Sequence, residues 1–198
     1  MLLIVGSNNP RKREELVRLL AGLPVTVKTL RDYPGTPAVT EDGATFEANA
    51  RKKALTWAAA LGVPVLADDS GLEVDALGGR PGVFSARFAG DGAGDAANTA
   101  RLLREMADVP DGKRTARFRC VVAMAGPGGG CRTAAGVVEG VILRAPRGAN
   151  GFGYDPVFEY PPAGKTFAEL PDAEKDAISH RRRAIEGILP EIRRMIGE

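Results

Sequence analysis

The sequence predicts an α/β fold on a mixed sheet, and three observations carry the expectation. Apolar runs at "LLIV", "VTVKTL" and "VPVLA" alternate with two segments of helical periodicity, and strand, helix, strand, helix, strand calls for parallel pairing. Further on, "KRTARFRCVVAMA" and "CRTAAGVVEGVIL" flank "GPGGG" and read as an antiparallel hairpin. At 198 residues and 44% hydrophobic, the chain has the length for one compact unit or two small lobes with a real core.

Each element has a local reason. Asn9 followed by Pro10 is a helix-start signal, a capping side chain and then a ring that fits the first helical position. Leu16, Leu19 and Leu20 give that helix one apolar face before Gly22 and Pro24 stop it. Thr45 caps a second helix, in which Phe46, Ala50, Ala54, Trp57 and Leu61 fall near helical spacing, and "VPVLA" returns as a third strand that ends at "DDSG". From Gly78 to Gly94 the chain is glycine-rich and irregular, a loop length that usually serves function. Asp95 is expected to cap a helix to about Asp108, and a last helix is expected from about Ser179, interrupted or kinked near Pro190. No repeat or linker appears, so residues 1–198 read as one domain in which any second lobe is built from the middle of the same chain.

Composition excludes several classes. Lys and Arg number 27 against 25 Asp and Glu, a net charge of +2 that is too balanced for a nucleic-acid binder. Cys120 and Cys131 are too few for a disulfide framework and lack metal-site spacing, so reduced thiols and a cytoplasmic location are expected. The start "MLLIVGSNNP" has no basic n-region, and no stretch approaches the about 20 apolar residues of a membrane span. Neither nucleic acid nor membrane is an expected partner.

Several stretches carry possible chemistry. "SNNPRK", residues 7–12, lies between a strand and a helix, where backbone N–H groups favour an anion; an ordinary capped helix with surface Arg11, Lys12 and Arg13 reads equally well. "DDSG" is either a turn closed by an Asx hydrogen bond or, beside a phosphate site, a carboxylate pair suited to Mg²⁺. Glu41 is either a surface acid or a further metal carboxylate. "GFGYD", residues 151–155, pairs aromatic rings with an acid, as a base platform would. "EKDAISHRRRA" holds the single histidine, His180, beside three arginines that stand at the wrong pole for the helix dipole. "GKT" at 164–166 is no P-loop, because Glu159 stands where that motif needs glycine.

Taken in order, "SNNPRK", "TFEANARKKA", "ADDSGLEVDALGGRPGVFSARFAG", "GFGYDPVF", "GKTFAEL" and "EKDAISHRRRA" closely resemble the inosine triphosphate pyrophosphatase family, from about residue 4 to 189. The resemblance implies an elongated mixed sheet flanked by helices, with two lobes around a central nucleotide-binding cleft. It implies Mg²⁺-dependent hydrolysis of non-canonical purine nucleoside triphosphates (ITP, dITP, XTP) to monophosphate and pyrophosphate, as a homodimer that cleanses the nucleotide pool. In the family's pattern Asp69 is general base and metal ligand, Glu41 a second metal carboxylate, and Asp68 support for the metal field. Ser7, Asn8, Asn9, Pro10, Arg11 and Lys12 match a phosphate loop that usually reads T-G-N-x-x-K, with departures at Ser7 and Asn8. Lys53 matches a basic position near the phosphates, and Ser70 a substrate-contacting hydroxyl. Phe152, Gly153, Tyr154 and Asp155 match the base-binding turn, and Lys175, His180 and Arg181 match residues around the purine. A Maf-like nucleotide pyrophosphatase and a non-catalytic nucleotide sensor are the competing readings.

Overall fold

The computed structural model describes residues 1–196. Seven strands, β1 (Leu2–Gly6), β2 (Thr26–Thr29), β3 (Val65–Val74), β4 (Thr115–Ala125), β5 (Cys131–Ile142), β6 (Phe158–Tyr160) and β7 (Lys165–Thr166), form one sheet in the order β2-β1-β3-β4-β5-β6-β7. Five α-helices accompany them: α1 (Pro10–Leu19), α2 (Phe46–Leu61), α3 (Gly94–Glu105), α4 (Asp172–Ile178) and α5 (His180–Ile196). Pairing of β1 with β2 and β3 is parallel, whereas β5, β6 and β7 pair antiparallel. The sheet is therefore mixed, as expected.

Local chemistry explains the first half. Leu3, Ile4 and Val5 are fully buried, as a parallel strand covered on both faces requires. Asn9 Oδ1 accepts the N–H groups of Arg11 (3.0 Å) and Lys12 (3.2 Å), with Pro10 opening the helix behind it. Thr45 Oγ1 accepts the Ala48 N–H at 3.1 Å, and α2 ends at Gly62, which adopts the left-handed conformation (φ 69°). The "GPGGG" loop joins neighbouring strands β4 and β5 through too few residues for anything but an antiparallel hairpin.

Other expectations fail for physical reasons. The third strand does not stop before "DDSG" but runs on to Val74, because both aspartates find cationic partners inside the fold. Asp95 lies inside the first turn of α3 rather than capping it, and that helix ends at Glu105. The glycine-rich stretch is not wholly irregular: a 3-10 turn, Asp75–Leu77, leads into it and another, Gly82–Arg87, forms within it. Pro190 does not interrupt the last helix: Ile185, Ile188 and Ile192 bury one face of α5 on both sides of it. The helix α4 and the short strands β6 and β7 are additions to the elements expected. Among the described residues, no helix is long and apolar enough to cross a membrane, and both cysteines are free.

The chain divides into two compact units. The first comprises Met1–Asp69, Cys120–Gly136 and the segment from His180 onward; its core joins Leu3, Val5, Leu16 and Leu66 to Ile185 and Ile188. Within it Gly136 is obligatory, since a Cβ there would strike the His180 carbonyl oxygen and the Ala184 amide nitrogen. The second comprises Ser70–Arg119 and Val137–Ser179. Its core is aromatic: Phe158 lies 4.6 Å from Phe118 and 5.0 Å from Phe167, centroid to centroid.

Candidate active site

In the first unit, the pleat of β3 separates the two aspartates. Successive side chains of a strand point to opposite faces, so adjacent carboxylates need not confront each other. Asp68 Oδ2 lies 3.4 Å from Arg181 Nε at the start of α5 and 3.7 Å from Lys12 Nζ on α1. Arg181 also donates through Nη1 to Glu15, and Asp68, Arg181 and Glu15 are all buried. Burial opposes the Arg181 charge, but Glu15 and Asp68 outweigh it and hold the pKa above the ordinary guanidinium value.

Asp69 belongs to a different set. Its Oδ2 accepts the Asn49 side-chain N–H at 2.9 Å, and its Oδ1 lies 3.9 Å from Lys53 Nζ. The same ammonium donates to Glu41 Oε2 at 3.0 Å, so one cation reaches an oxygen of each carboxylate. Burial disfavours the charged form of Asp69 more than Lys53, Lys12 and Asn49 favour it, and its pKa is pushed up to about 6. Lys53 responds oppositely: burial works against its charge, but Asp68, Asp69 and Glu41 raise its pKa above the usual lysine value.

The donor set fits a hard divalent cation. Glu41 and Asp69 offer carboxylate oxygens, the hard donors such an ion prefers, around a point where a positive group already sits. Among the described residues no three acidic, histidine or cysteine side chains form a ready-made metal cage. That suits an ion bound through one or two carboxylates and completed by substrate oxygens and water.

The remaining phosphate-loop residues follow from β1 and α1. Ser7 is buried at the strand end, Asn8 and Asn9 are exposed, and Asn9 caps the helix that carries Pro10, Arg11 and the half-buried Lys12. His180, also buried, opens α5 beside Arg181.

The second unit holds Ser70 and the base-turn residues. Asp155 Oδ2 accepts the Phe152 N–H at 2.8 Å and the Lys175 ammonium at 2.7 Å. Lys175 Nζ also stands 4.8 Å from the centre of the Phe152 ring, a cation–π contact that fixes the ring. Gly151 is left-handed (φ 70°), and a Cβ there would collide with Asp155 Oδ2. Gly153 donates its N–H to Asp95 (2.8 Å) and accepts from Thr99 Oγ1 (3.2 Å). Tyr154 donates its hydroxyl to the Ser85 carbonyl at 2.8 Å, and burial raises its pKa. Tyr154 and Asp155 thus shape the turn, while the half-buried Phe152 offers ring surface.

Four residues with clear parts in these contacts are not marked as site residues by the sequence: Glu15, Asn49, Asp95 and Thr99. Asn49 left a trace, since it and Lys53 stand four apart in the otherwise apolar stripe of α2. Glu15 left none, because its partner Arg181 is 166 positions away.

The mixed α/β sheet sets buried carboxylates beside lysines next to the end of the first parallel strand, an arrangement that marks the class as α/β proteins fitted to a phosphate-bearing ligand. The chain belongs to the Ham1 family, whose model matches residues 3–191. It is 53% identical over 183 residues to a dITP/XTP pyrophosphatase of Geobacter sulfurreducens, spanning 92% of both chains. A dITP/XTP pyrophosphatase of Exiguobacterium sibiricum is 48% identical over the whole of both. Among solved structures, a HAM1 protein from Coxiella burnetii superposes with a TM-score of 0.88 at 40% identity, over 98% of this chain and 99% of that one. The Ham1 protein of Staphylococcus aureus gives 0.87 at 38% identity, over 98% and 100%.

Proposed function

We propose that this protein hydrolyses non-canonical purine nucleoside triphosphates, namely inosine, deoxyinosine and xanthosine triphosphates, to the monophosphate and pyrophosphate with Mg²⁺. The observation that carries the reading is Asp69: a buried carboxylate with a pKa near 6, held by Asn49 and sharing the Lys53 ammonium with Glu41. The naming of relatives about half identical to this chain as dITP/XTP pyrophosphatases supports the substrate class.

Enzymes that cleave nucleoside triphosphates generally use a divalent metal; here Asp69 and Glu41 would hold Mg²⁺, which supplies charge neutralisation and a polarised water. Lys12 and Lys53 answer the remaining phosphate charge. Asp69 takes a proton from the attacking water as the new P–O bond forms, the α–β anhydride bond breaks, and pyrophosphate leaves with the electron pair. The phosphates fall to residues of the first unit. In the second, Phe152 is the stacking surface, kept in place by Asp155 and Lys175.

Arg181 and His180 are the donors for the purine's 6-oxo group. The Arg181 guanidinium, buried between Glu15 and Asp68, is held charged, as a donor to a 6-oxo oxygen must be. Adenine presents a 6-amino group to those donors and leaves them unpaired, which discriminates strongly. A homodimer in the cytoplasm completes the proposal, and light scattering of the purified protein checks the dimer.

Asp69→Asn tests the reading. Pyrophosphate release from inosine triphosphate should fall by about 10²–10⁴-fold, the range general-base catalysis supplies, while nucleotide binding stays measurable. Near-normal turnover would remove Asp69 from the mechanism.

A further inference from the structure

A cavity of about 420 Å³ in the first unit is not used by the mechanism above. Ser7 and Asn8 line it, together with Arg13 of α1, Trp57 of α2, and Arg31 and Tyr33 from the segment that follows β2. Two arginines line this cavity and no carboxylate does. The Trp57 indole N–H donates to the Pro37 carbonyl at 2.9 Å and pins the segment in place. Lys28 Nζ, 5.9 Å from the centre of the Tyr33 ring, adds positive charge nearby.

Arg13 is the unexplained member. It is only 7% exposed, yet its guanidinium makes no hydrogen bond or ion pair among the described residues. The acid it influences, Asp32, is fully exposed, and its Oδ2 already accepts the Thr29 N–H (2.8 Å) and hydroxyl (3.1 Å). Taking a charge out of water without a partner is costly, so stability does not account for this arginine. A planar fork of N–H donors at the edge of a cavity that holds no acid is matched by a phosphate oxyanion, which it grips through two parallel hydrogen bonds.

We infer that this cavity is a binding site for a phosphate-type anion, anchored by Arg13 and continuous with the phosphate loop through Ser7 and Asn8. Two sources share that chemistry: free inorganic diphosphate, and the terminal phosphates of a bound nucleotide. Naming diphosphate rests on the proposed reaction, which releases it, whereas anion binding rests on Arg13 and its cavity alone.

Calorimetric titration of the full chain with inorganic diphosphate, without nucleotide, tests the site in the wild type, Arg13→Lys and Arg13→Gln. Affinity should fall at least tenfold in Arg13→Gln and less in Arg13→Lys, which keeps the charge but loses the fork. The Tm without anion should be unchanged or higher in Arg13→Gln, since the substitution removes an unpaired buried charge; a lower Tm would mark Arg13 as structural and overturn the inference. Equal diphosphate affinity in all three proteins, or none in the wild type, would overturn it as well. A KM for inosine triphosphate that rises with the lost affinity would support the site and identify its occupant as the substrate's own phosphates. An unchanged KM with weaker inhibition by diphosphate would support it with the released product as occupant. Arg13-dependent diphosphate binding in a chain that fails to hydrolyse inosine triphosphate would sink the proposed function and leave the anion site standing.

Discussion

Asp68 shares its charge with Arg181 and Lys12, whereas Asp69 faces Asn49 and Lys53, so substitutions around the two are expected to act differently. Arg181→Ala leaves Glu15 and Asp68 as buried carboxylates without their shared guanidinium, a loss of about 3–5 kcal/mol that a denaturant midpoint would register. The same variant should narrow the preference for inosine over adenosine triphosphate. The ratio of the two kcat/KM values checks this, because a change in the folded fraction cancels from it; an unchanged ratio removes Arg181 from base selection. At Asp69 the sign is set by the base role. The carboxylate must be charged to accept a proton and its pKa is raised to about 6, so kcat/KM should be lost as pH falls through that value. Rising Mg²⁺ favours the charged form and should move the inflection to lower pH. A profile flat from pH 5 to 8 would contradict the assignment.

Whole elements decide how these residues are presented. The approach of α5 to β5 depends on the missing side chain of Gly136, and Gly136→Ala should cost about 1–3 kcal/mol through overpacking against backbone that cannot yield. Urea unfolding measures it, with a lower midpoint and an unchanged slope as the expected result. The base turn shows the opposite economy of means: Tyr154→Phe removes one buried hydrogen bond to the Ser85 carbonyl and should cost about 1 kcal/mol while leaving Phe152 in place. Helix α1 was fully legible, because Asn9 and Pro10 state its start and leucines state its face. Strand β3 was legible only as far as Ala67. Beyond it, adjacent aspartates argue for a turn, and only the partners brought by Lys12, Lys53 and Arg181 let the strand continue. Helix α4 carries charged residues at most of its seven positions, and local periodicity cannot announce that Lys175 is buried against Asp155.

Across the whole molecule, the mixed sheet followed from the alternation of strands and helices and from one glycine hairpin, while β6 and β7, three and two residues long, are too short to leave a period. The two cores were not legible either. "KRTARFRCVVAMA" reads as one strand, yet Phe118 belongs to the aromatic core and Cys120 to the aliphatic one. Burial raises the Cys120 thiol pKa and leaves Cys131 half-accessible, so iodoacetamide should label Cys131 alone in the native protein and both after unfolding. The candidate site was legible in its parts through the order of six motifs, and its supports Glu15, Asn49 and Asp95 were not, since each acts on a residue far away in sequence. The proposed function joins a reaction to a specificity. A panel of inosine, deoxyinosine, xanthosine, adenosine and guanosine triphosphates with Mg²⁺, resolved for monophosphate, diphosphate, pyrophosphate and phosphate, tests both at once. Monophosphate and pyrophosphate are expected from the first three and little from adenosine triphosphate, with the guanosine rate reporting whether a 6-oxo group alone suffices; nucleoside diphosphate with inorganic phosphate, or equal rates on inosine and adenosine triphosphates, would contradict the proposed function.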